Sequence, residues 1–309
     1  MQNVLLTLWP LFALIALGAI LRRNKIFEPA FWVGTEKLNY FLLFPALLIN
    51  SLAKAPLSDP QLFHLAGAIF SVVITITILC VIIKKITGWN AGRFGVIVQG
   101  NIRFNTYLGL AIVADLFGTS GLSIAALILA ILVPLSNVTS VLCLTAGQNV
   151  TLRQLILPII KNPLIISCVI GIIINLSGIG LPLGSDQFLK LLAATSLPLG
   201  LICIGAALHI STLKAESKMI CINTISRLTI VPIIAYAIAS VLELSSSVTV
   251  LMVIFFSIPT APTSYILTRQ LGGDSELMAG TITAQTIFSA ITLPIVLGLL
   301  SGRFFETFI

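Results

Sequence analysis

Ten long apolar runs are the feature that most constrains the fold of this chain. They lie near residues 5–21, 33–52, 63–83, 94–117, 121–145, 162–179, 187–210, 219–241, 248–271 and 278–300. A transmembrane helix needs about 20 predominantly apolar residues. Only 9% of the residues are charged, against roughly 25% in an ordinary soluble domain. We predict an all-α polytopic membrane protein with ten transmembrane helices, and a water-soluble fold is excluded.

Basic residues are distributed unevenly between the connections. The odd-numbered connections carry twelve lysine or arginine residues, whereas the even-numbered ones and the C-terminal tail carry three. By the positive-inside rule the odd-numbered connections are cytoplasmic, which places both termini outside the cell. The net charge of +7 is dispersed over the span ends instead of one soluble face, so we expect no nucleic-acid partner.

Helix-breaking residues occur at corresponding positions in the two halves of the chain, with prolines interrupting spans two and seven. Aligning DLFG at the end of span four with QLGG at the end of span nine puts Asn105 opposite Thr260. Because each half holds five spans, residues 1–145 and 146–309 must enter the membrane in opposite orientations. This predicts a 5+5 inverted repeat, an arrangement of secondary transporters in which interrupted helices mark the binding site.

Spans four and nine are interrupted at the same predicted depth. At 1.5 Å per residue, segment 101–105 lies roughly 12 to 18 Å into the membrane and segment 259–262 roughly 16 to 21 Å. Both are near the middle of a hydrocarbon core about 30 Å thick. Unsatisfied polar groups there cost several kcal/mol each, so they need a compensating use. We therefore predict two broken helices that cross at the midplane and form the working centre.

The residue types at this crossing suit an anion. Prolines free backbone groups, and a helix start presents N–H groups and a positive dipole end to a carboxylate. Arg103 adds a full positive charge. The candidate substrate-binding residues are Asn101, Arg103, Asn105, Thr106, Tyr107, Pro259, Thr260, Pro262 and Thr263.

Structural alternatives remain open for these residues. Arg103 either attracts an anion or forms a structural pair within the bundle. Asn101 and Asn105 either line the site or hydrogen-bond between helices. Pro259 and Pro262 are expected to shape the crossing more than to touch substrate. Arg227 in span eight is expected to be structural, and it either snorkels to the interface or faces the bundle interior.

Several motifs resemble the auxin efflux carrier family, which includes bacterial dicarboxylate permeases and plant auxin carriers. They are RFNTYLGLA (103–111), KNPLIISCVIG with GIGLP (161–182), SLPLGLICIGAAL (196–208), and IPTAPTSYILTRQLGGD (258–274) with ITLP (291–294). The chain lacks the long hydrophilic insertion of the plant carriers between spans five and six, and so resembles a compact bacterial member.

The resemblance implies the fold of the bile-acid/sodium symporter superfamily. Spans one, two, six and seven would form a scaffold, and spans three to five and eight to ten a transport domain. It also implies elevator-type movement and a homodimer built on the scaffold helices in a bacterial inner membrane.

These observations predict a secondary transporter of small carboxylates, working by facilitated efflux or linked to protons. A sodium-coupled organic-anion symporter of the same fold is the alternative. An intramembrane enzyme or sensor is the third hypothesis. It lacks support because the chain has no GxSxG, HExxH or phosphate-loop motif. We expect no enzymatic activity, no cofactor and no metal site.

Overall fold

The computed structural model of the protein describes residues 2–55, 57, 61–146, 151–182, 184–213 and 216–304. Within these residues all regular secondary structure is helical. The α-helices are α1 (Gln2–Arg23), α2 (Pro29–Leu38), α3 (Phe44–Leu52), α4 (Gln61–Thr87), α5 (Ala91–Ile102), α6 (Thr106–Leu144), α7 (Leu152–Ile160), α8 (Pro163–Ser177), α9 (Ser185–Ala206), α10 (Ser217–Ile225), α11 (Val231–Val241), α12 (Ser246–Ser257), α13 (Thr263–Gln270) and α14 (Ser275–Phe304).

Within the described part of the chain, five helical stretches are long and apolar enough to cross a membrane. They are Gln61–Thr87, Ala91–Leu144, Ser185–Ala206, Ser217–Val241 and Ser275–Leu300. Helices α8 and α12 are apolar but shorter. The chain is therefore an all-helical polytopic membrane protein, as its sequence predicted, and the count of ten spans stays a prediction.

Two π-helical segments turn a polar side chain inward. Asn39–Leu43 leads into α3 and Ser226–Ile230 joins α10 to α11. A proline in the first turn of the following helix comes after each of them. Proline removes a backbone donor and crowds the preceding turn, and a wider π turn accommodates this. Asn39 and Arg227 are fully buried as a result, so the interior alternative for Arg227 is the one observed.

The chain packs as two compact units, each built from three segments. Unit 1 comprises Met1–Leu62, Tyr107–Ala130 and Ile160–Leu208, and unit 2 comprises Phe63–Thr106, Ile131–Ile159 and His209–Ile309. Helix α6 belongs to both units. It is interrupted at Gly118, whose φ of 58° and ψ of −149° suit glycine, and this break separates predicted span four from span five.

In unit 1, α1 packs closely on α9, and α3 packs on α8 and α9. A methyl group on Gly18 would lie 1.9 Å from the carbonyl oxygen of Ile202. The backbones of α1 and α9 therefore touch, as small residues allow between membrane helices. Asn39 Nδ2 donates to the Ser196 carbonyl at 3.0 Å, and Ser196 Oγ donates back to Asn39 Oδ1 at 3.0 Å. This pair satisfies the polar atoms that the first π segment buries.

In unit 2, α5, α12 and α13 contribute the two interruptions, and α10 and α14 pack against them. Helix α5 ends at Ile102 before α6 begins at Thr106, and α12 ends at Ser257 before α13 begins at Thr263. Both interruptions lie where the sequence predicted them. The described side chains of α12 are buried from Val248 onward, so this half-helix is central to unit 2.

Candidate functional site

The two interruptions of unit 2 lie against each other. The backbone N–H of Asn105 donates to the Pro259 carbonyl at 2.8 Å, and the rings of Phe104 and Phe255 pack edge to face at 5.8 Å. The two helices also end alike. Arg103 follows α5 with φ −76° and ψ 155°, and Ile258 follows α12 with φ −79° and ψ 154°. The segments that follow α5 and α12 thus adopt the same extended conformation, and they do so where the two helix ends meet.

Arg227 occupies the point where these two helices end. Its Nη1 donates to the Asn101 carbonyl at 2.6 Å, its Nε to the Ile258 carbonyl at 2.8 Å, and its Nη2 to the Phe255 carbonyl at 3.0 Å. The last carbonyls of a helix lack partners within the helix and carry its negative dipole end. The guanidinium satisfies both ends at once. We call Arg227 and these three carbonyls the carbonyl cluster.

A buried amide network joins the same interruptions. Gln285 Oε1 accepts from the Thr260 N–H at 2.8 Å, while its Nε2 donates to the Gly100 carbonyl at 2.9 Å and to Asn223 Oδ1 at 3.2 Å. Asn223 Nδ2 donates in turn to the Ile97 carbonyl at 3.3 Å. Helices α10 and α14 therefore hold the crossing through side-chain amides that replace the missing helical hydrogen bonds.

The opposite ends of the broken helices carry a different set of residues. Helix α6 begins at Thr106 and α13 at Thr263, and Arg103 Nη2 donates to Thr263 Oγ1 at 3.2 Å. Arg103, Thr106, Pro262 and Thr263 are all partly exposed. We call these four residues the cationic cluster. Residues 91–106 and 246–270, which surround the two interruptions, contain no aspartate or glutamate.

The N–H groups at the start of α13 are less open than the sequence predicted. The Ser264 N–H closes a turn onto the Ala261 carbonyl, and the Tyr265 N–H closes one onto the Pro262 carbonyl, both at 3.0 Å. The positive potential at this end therefore comes from the Arg103 charge and the helix dipole.

Three of the candidate residues lie inside the crossing. Asn101, Asn105 and Thr260 are 2%, 1% and 0% exposed. Asn101 Nδ2 donates to the Ile97 carbonyl at 2.8 Å and to Asn223 Oδ1 at 3.3 Å. These contacts match the helix–helix alternative for Asn101, and the substrate-binding role of all three residues stays a prediction.

Comparison with known proteins decides the class of the molecule. The membrane transport protein family model matches residues 149–297. Over this part the chain is similar to the membrane transport protein family. The chain is also 26% identical to an uncharacterized transporter of Methanothermobacter thermautotrophicus, over 94% of this chain and 96% of that protein. The resemblance to auxin efflux carriers is thereby confirmed, and the family match includes Arg227, Gln285 and the interruption between α12 and α13.

Two further predicted substrate-binding residues of this transporter, Tyr107 and Pro259, make packing or backbone contacts. Tyr107 belongs to unit 1, where its ring packs edge to face on Phe44 at 4.9 Å. A methyl group on Gly200 would lie 2.6 Å from the same ring. Pro259 is buried and its carbonyl accepts from Asn105.

Asn223 and Gln285 were not predicted from the sequence as site residues, and Arg227 was not predicted to lie at the crossing. Each amide is the only asparagine or glutamine in its predicted span, 219–241 or 278–300. A lone amide or arginine at membrane depth predicts a buried partner. Which helix end such a side chain reaches depends on how its helix is rotated about its own axis. The second π segment changes this rotation between α10 and α11.

Proposed function

We propose that this transporter carries small organic anions, carboxylates above all, by alternating access around the two interruptions. The observation that carries the proposal is the cationic cluster. It places the partly exposed guanidinium of Arg103 beside the starts of α6 and α13. A charge at membrane depth is costly and typically marks a substrate pathway. A guanidinium binds a carboxylate with two parallel hydrogen bonds.

The proposal extends to the architecture. Ten spans would form an inverted repeat of residues 1–145 and 146–309, with a scaffold of spans one, two, six and seven. The remaining spans would move as an elevator within a homodimer that is joined through the scaffold. The matching backbone angles of Arg103 and Ile258 support the repeat. Each unit also gathers segments from both halves of the chain.

Membrane voltage favours export of the proposed substrate. With the cell interior about 100 mV negative, expelling one monoanion gains roughly 2.3 kcal/mol. A facilitator without any coupling ion would therefore export, and proton-linked transport would add to that drive. We place the protein in a bacterial inner membrane with both termini outside.

Sodium-coupled transport is the second candidate, and one observation favours it. Gln99 Oε1 and Asn101 Oδ1 are buried, and neither has a hydrogen-bond donor among the described residues. In other carriers, half-helix ends and unwound backbone oxygens coordinate sodium at the midplane. Two amide oxygens near the crossing are the start of such a ligand set.

Counterflow in liposomes tests both candidates. Purified transporter is reconstituted with an unlabelled carboxylate inside, and uptake of the same labelled compound is followed in sodium-free buffer. The neutral amide of the same carbon skeleton serves as the matched control substrate. Uptake of the carboxylate and not of the amide supports the proposal. Equal uptake of both would show that charge is not recognised, and uptake only with sodium would favour the symporter.

A further inference from the structure

We propose that Arg227 is a resident cation that replaces a coupling cation at the crossing, so that this protein transports without sodium. The guanidinium holds three carbonyl oxygens from the ends of two different helices, at 2.6, 2.8 and 3.0 Å. The inference deepens the proposed function and rests on it, because it assigns the coupling at the same crossing.

The carbonyl cluster has the composition of a cation site. Unwound carbonyls and half-helix C-terminal ends are the groups that coordinate a monovalent cation in carriers with broken helices. Here Arg227 contacts both α5 and α12 through all three of its nitrogen atoms. Because arginine keeps its charge at every physiological pH, the position stays filled throughout a transport cycle.

The charges at this point balance without any further ion. Each helix C-terminus carries about −0.5 elementary charge, so two of them offset one guanidinium. The salt bridges among the described residues involve Lys54, Arg93 and Lys190, and Arg227 takes part in none of them. Its partners are neutral carbonyls, which means that the helix ends themselves serve as the counter-charge. A second cation would leave the cluster with an excess of about one charge.

The same geometry weakens the sodium candidate. Asn101 supplies both the carbonyl that Arg227 contacts and the side-chain oxygen that lacks a donor. A sodium ion on that side-chain oxygen would therefore bind the same residue as the buried guanidinium of Arg227. Like charges at such short range repel strongly in a low-dielectric interior. The buried charge of Arg227 therefore disfavours a coupling cation on the Asn101 side-chain oxygen.

Thermal unfolding of the purified protein in detergent tests the inference. The Tm is measured in sodium, potassium and choline chloride at equal ionic strength, for the wild type, Arg227→Ala and Arg227→Met. The alanine removes the charge and leaves space, whereas the methionine removes the charge and fills much of the space. Arg269→Ala is the matched control, because this arginine is exposed at the end of α13.

We expect the wild-type Tm to be the same in all three salts. Both Arg227 variants should unfold roughly 10 °C lower, because three buried carbonyls at two helix ends lose their hydrogen-bond donor. Guanidinium ion at concentrations too low to denature should raise the Tm of Arg227→Ala by several degrees. It should leave Arg227→Met, Arg269→Ala and the wild type unchanged, because only the alanine variant offers an empty cation position.

Two results would overturn the inference. One is a sodium-specific increase in the wild-type Tm, or sodium-dependent counterflow by the wild type. The other is an equal response of the alanine and methionine variants to guanidinium, which would mean that Arg227 only fills space. If Arg227→Ala does not fold, the wild-type salt series still decides the question. A failure of carboxylate counterflow would sink the proposed function and leave the unfolding results intact.

Discussion

The two faces of the crossing contain one arginine each, and the two arginines are placed in opposite ways. Arg227 is fully buried and donates to carbonyls at the ends of α5 and α12. Arg103 is partly exposed beside the starts of α6 and α13 and donates to the hydroxyl of Thr263. Arg227 lies at the negative ends of two helix dipoles, which offset its charge. Arg103 lies beside the positive ends of two helix dipoles, which have the same sign as its own charge.

This difference assigns the two arginines different tasks. A positive charge at helix C-termini stabilises the fold, while a positive charge at helix N-termini is repelled by the dipoles, and an anion bound there is stabilised by both. Residues 91–106 and 246–270, which surround the two interruptions, contain no aspartate or glutamate. The carbonyl cluster pairs its charge with two helix ends, and in the proposed function the cationic cluster binds the carboxylate of the substrate.

Replacing Gln285 by leucine should produce the largest effect and tests whether the carbonyl side is structural. The variant leaves the Thr260 N–H and the Gly100 carbonyl without their buried partner. We expect the free energy of unfolding to fall by about 4 kcal/mol, measured by denaturant titration in detergent. Gln270→Leu, at an exposed position of α13, should change it little. Similar losses for the two variants would remove the distinction between the faces.

Replacing Arg103 by methionine tests the opposite face. We expect the concentration of labelled carboxylate that gives half-maximal transport to rise about 100-fold, equivalent to about 2.7 kcal/mol. The reason is that the only guanidinium of the cationic cluster is lost. The Tm should change little, since the side chain is partly exposed. Arg103→Lys should recover part of the affinity through its charge, and Arg269→Met should transport normally. A large fall in Tm with unchanged affinity would assign Arg103 to structure.

The places of both interruptions could be predicted from residue types alone. Pro259 and Pro262 weaken one helix, and Asn101 and Asn105 mark the other without any proline. An apolar run of this length has to be helical in lipid, so its polar centre is the natural place for a break. The predicted break in the first helix was found at segment 103–105.

The partners of these interruptions could not be predicted. Helical periodicity gives the relative positions of residues on one helix, but not the rotation of that helix against its neighbours. Asn223 and Gln285 reach the crossing from α10 and α14, and the π segment at Ser226–Ile230 shifts the register of everything after it. Three-dimensional packing was needed to show that Arg227 faces carbonyls and Arg103 faces a hydroxyl.

Replacing Gly100 by alanine sharpens the comparison by adding a single methyl group on the carbonyl side. Its Cβ would lie 2.5 Å from Asn223 Oδ1, and Asn223 is itself held by hydrogen bonds to Gln285 and Ile97. We expect a loss of about 2 kcal/mol in the free energy of unfolding. Gly67→Ala in α4 has nothing within 4 Å of the new methyl and should be neutral or slightly stabilising. Equal stability of both variants would contradict the tight packing at Gly100.

Replacing Thr263 by valine should give the smallest effect and tests whether the cationic cluster is preorganised. The substitution keeps the shape and removes the hydroxyl that accepts from Arg103 Nη2 at 3.2 Å. Losing one hydrogen bond to a charged group at a partly exposed position should weaken carboxylate affinity about fivefold, near 1 kcal/mol, with little change in Tm. Thr263→Ser keeps the hydroxyl and should bind like the wild type. If serine and valine weaken binding equally, the methyl contact matters and Arg103 is positioned by other groups; if only valine does, the hydroxyl aims the guanidinium at the substrate.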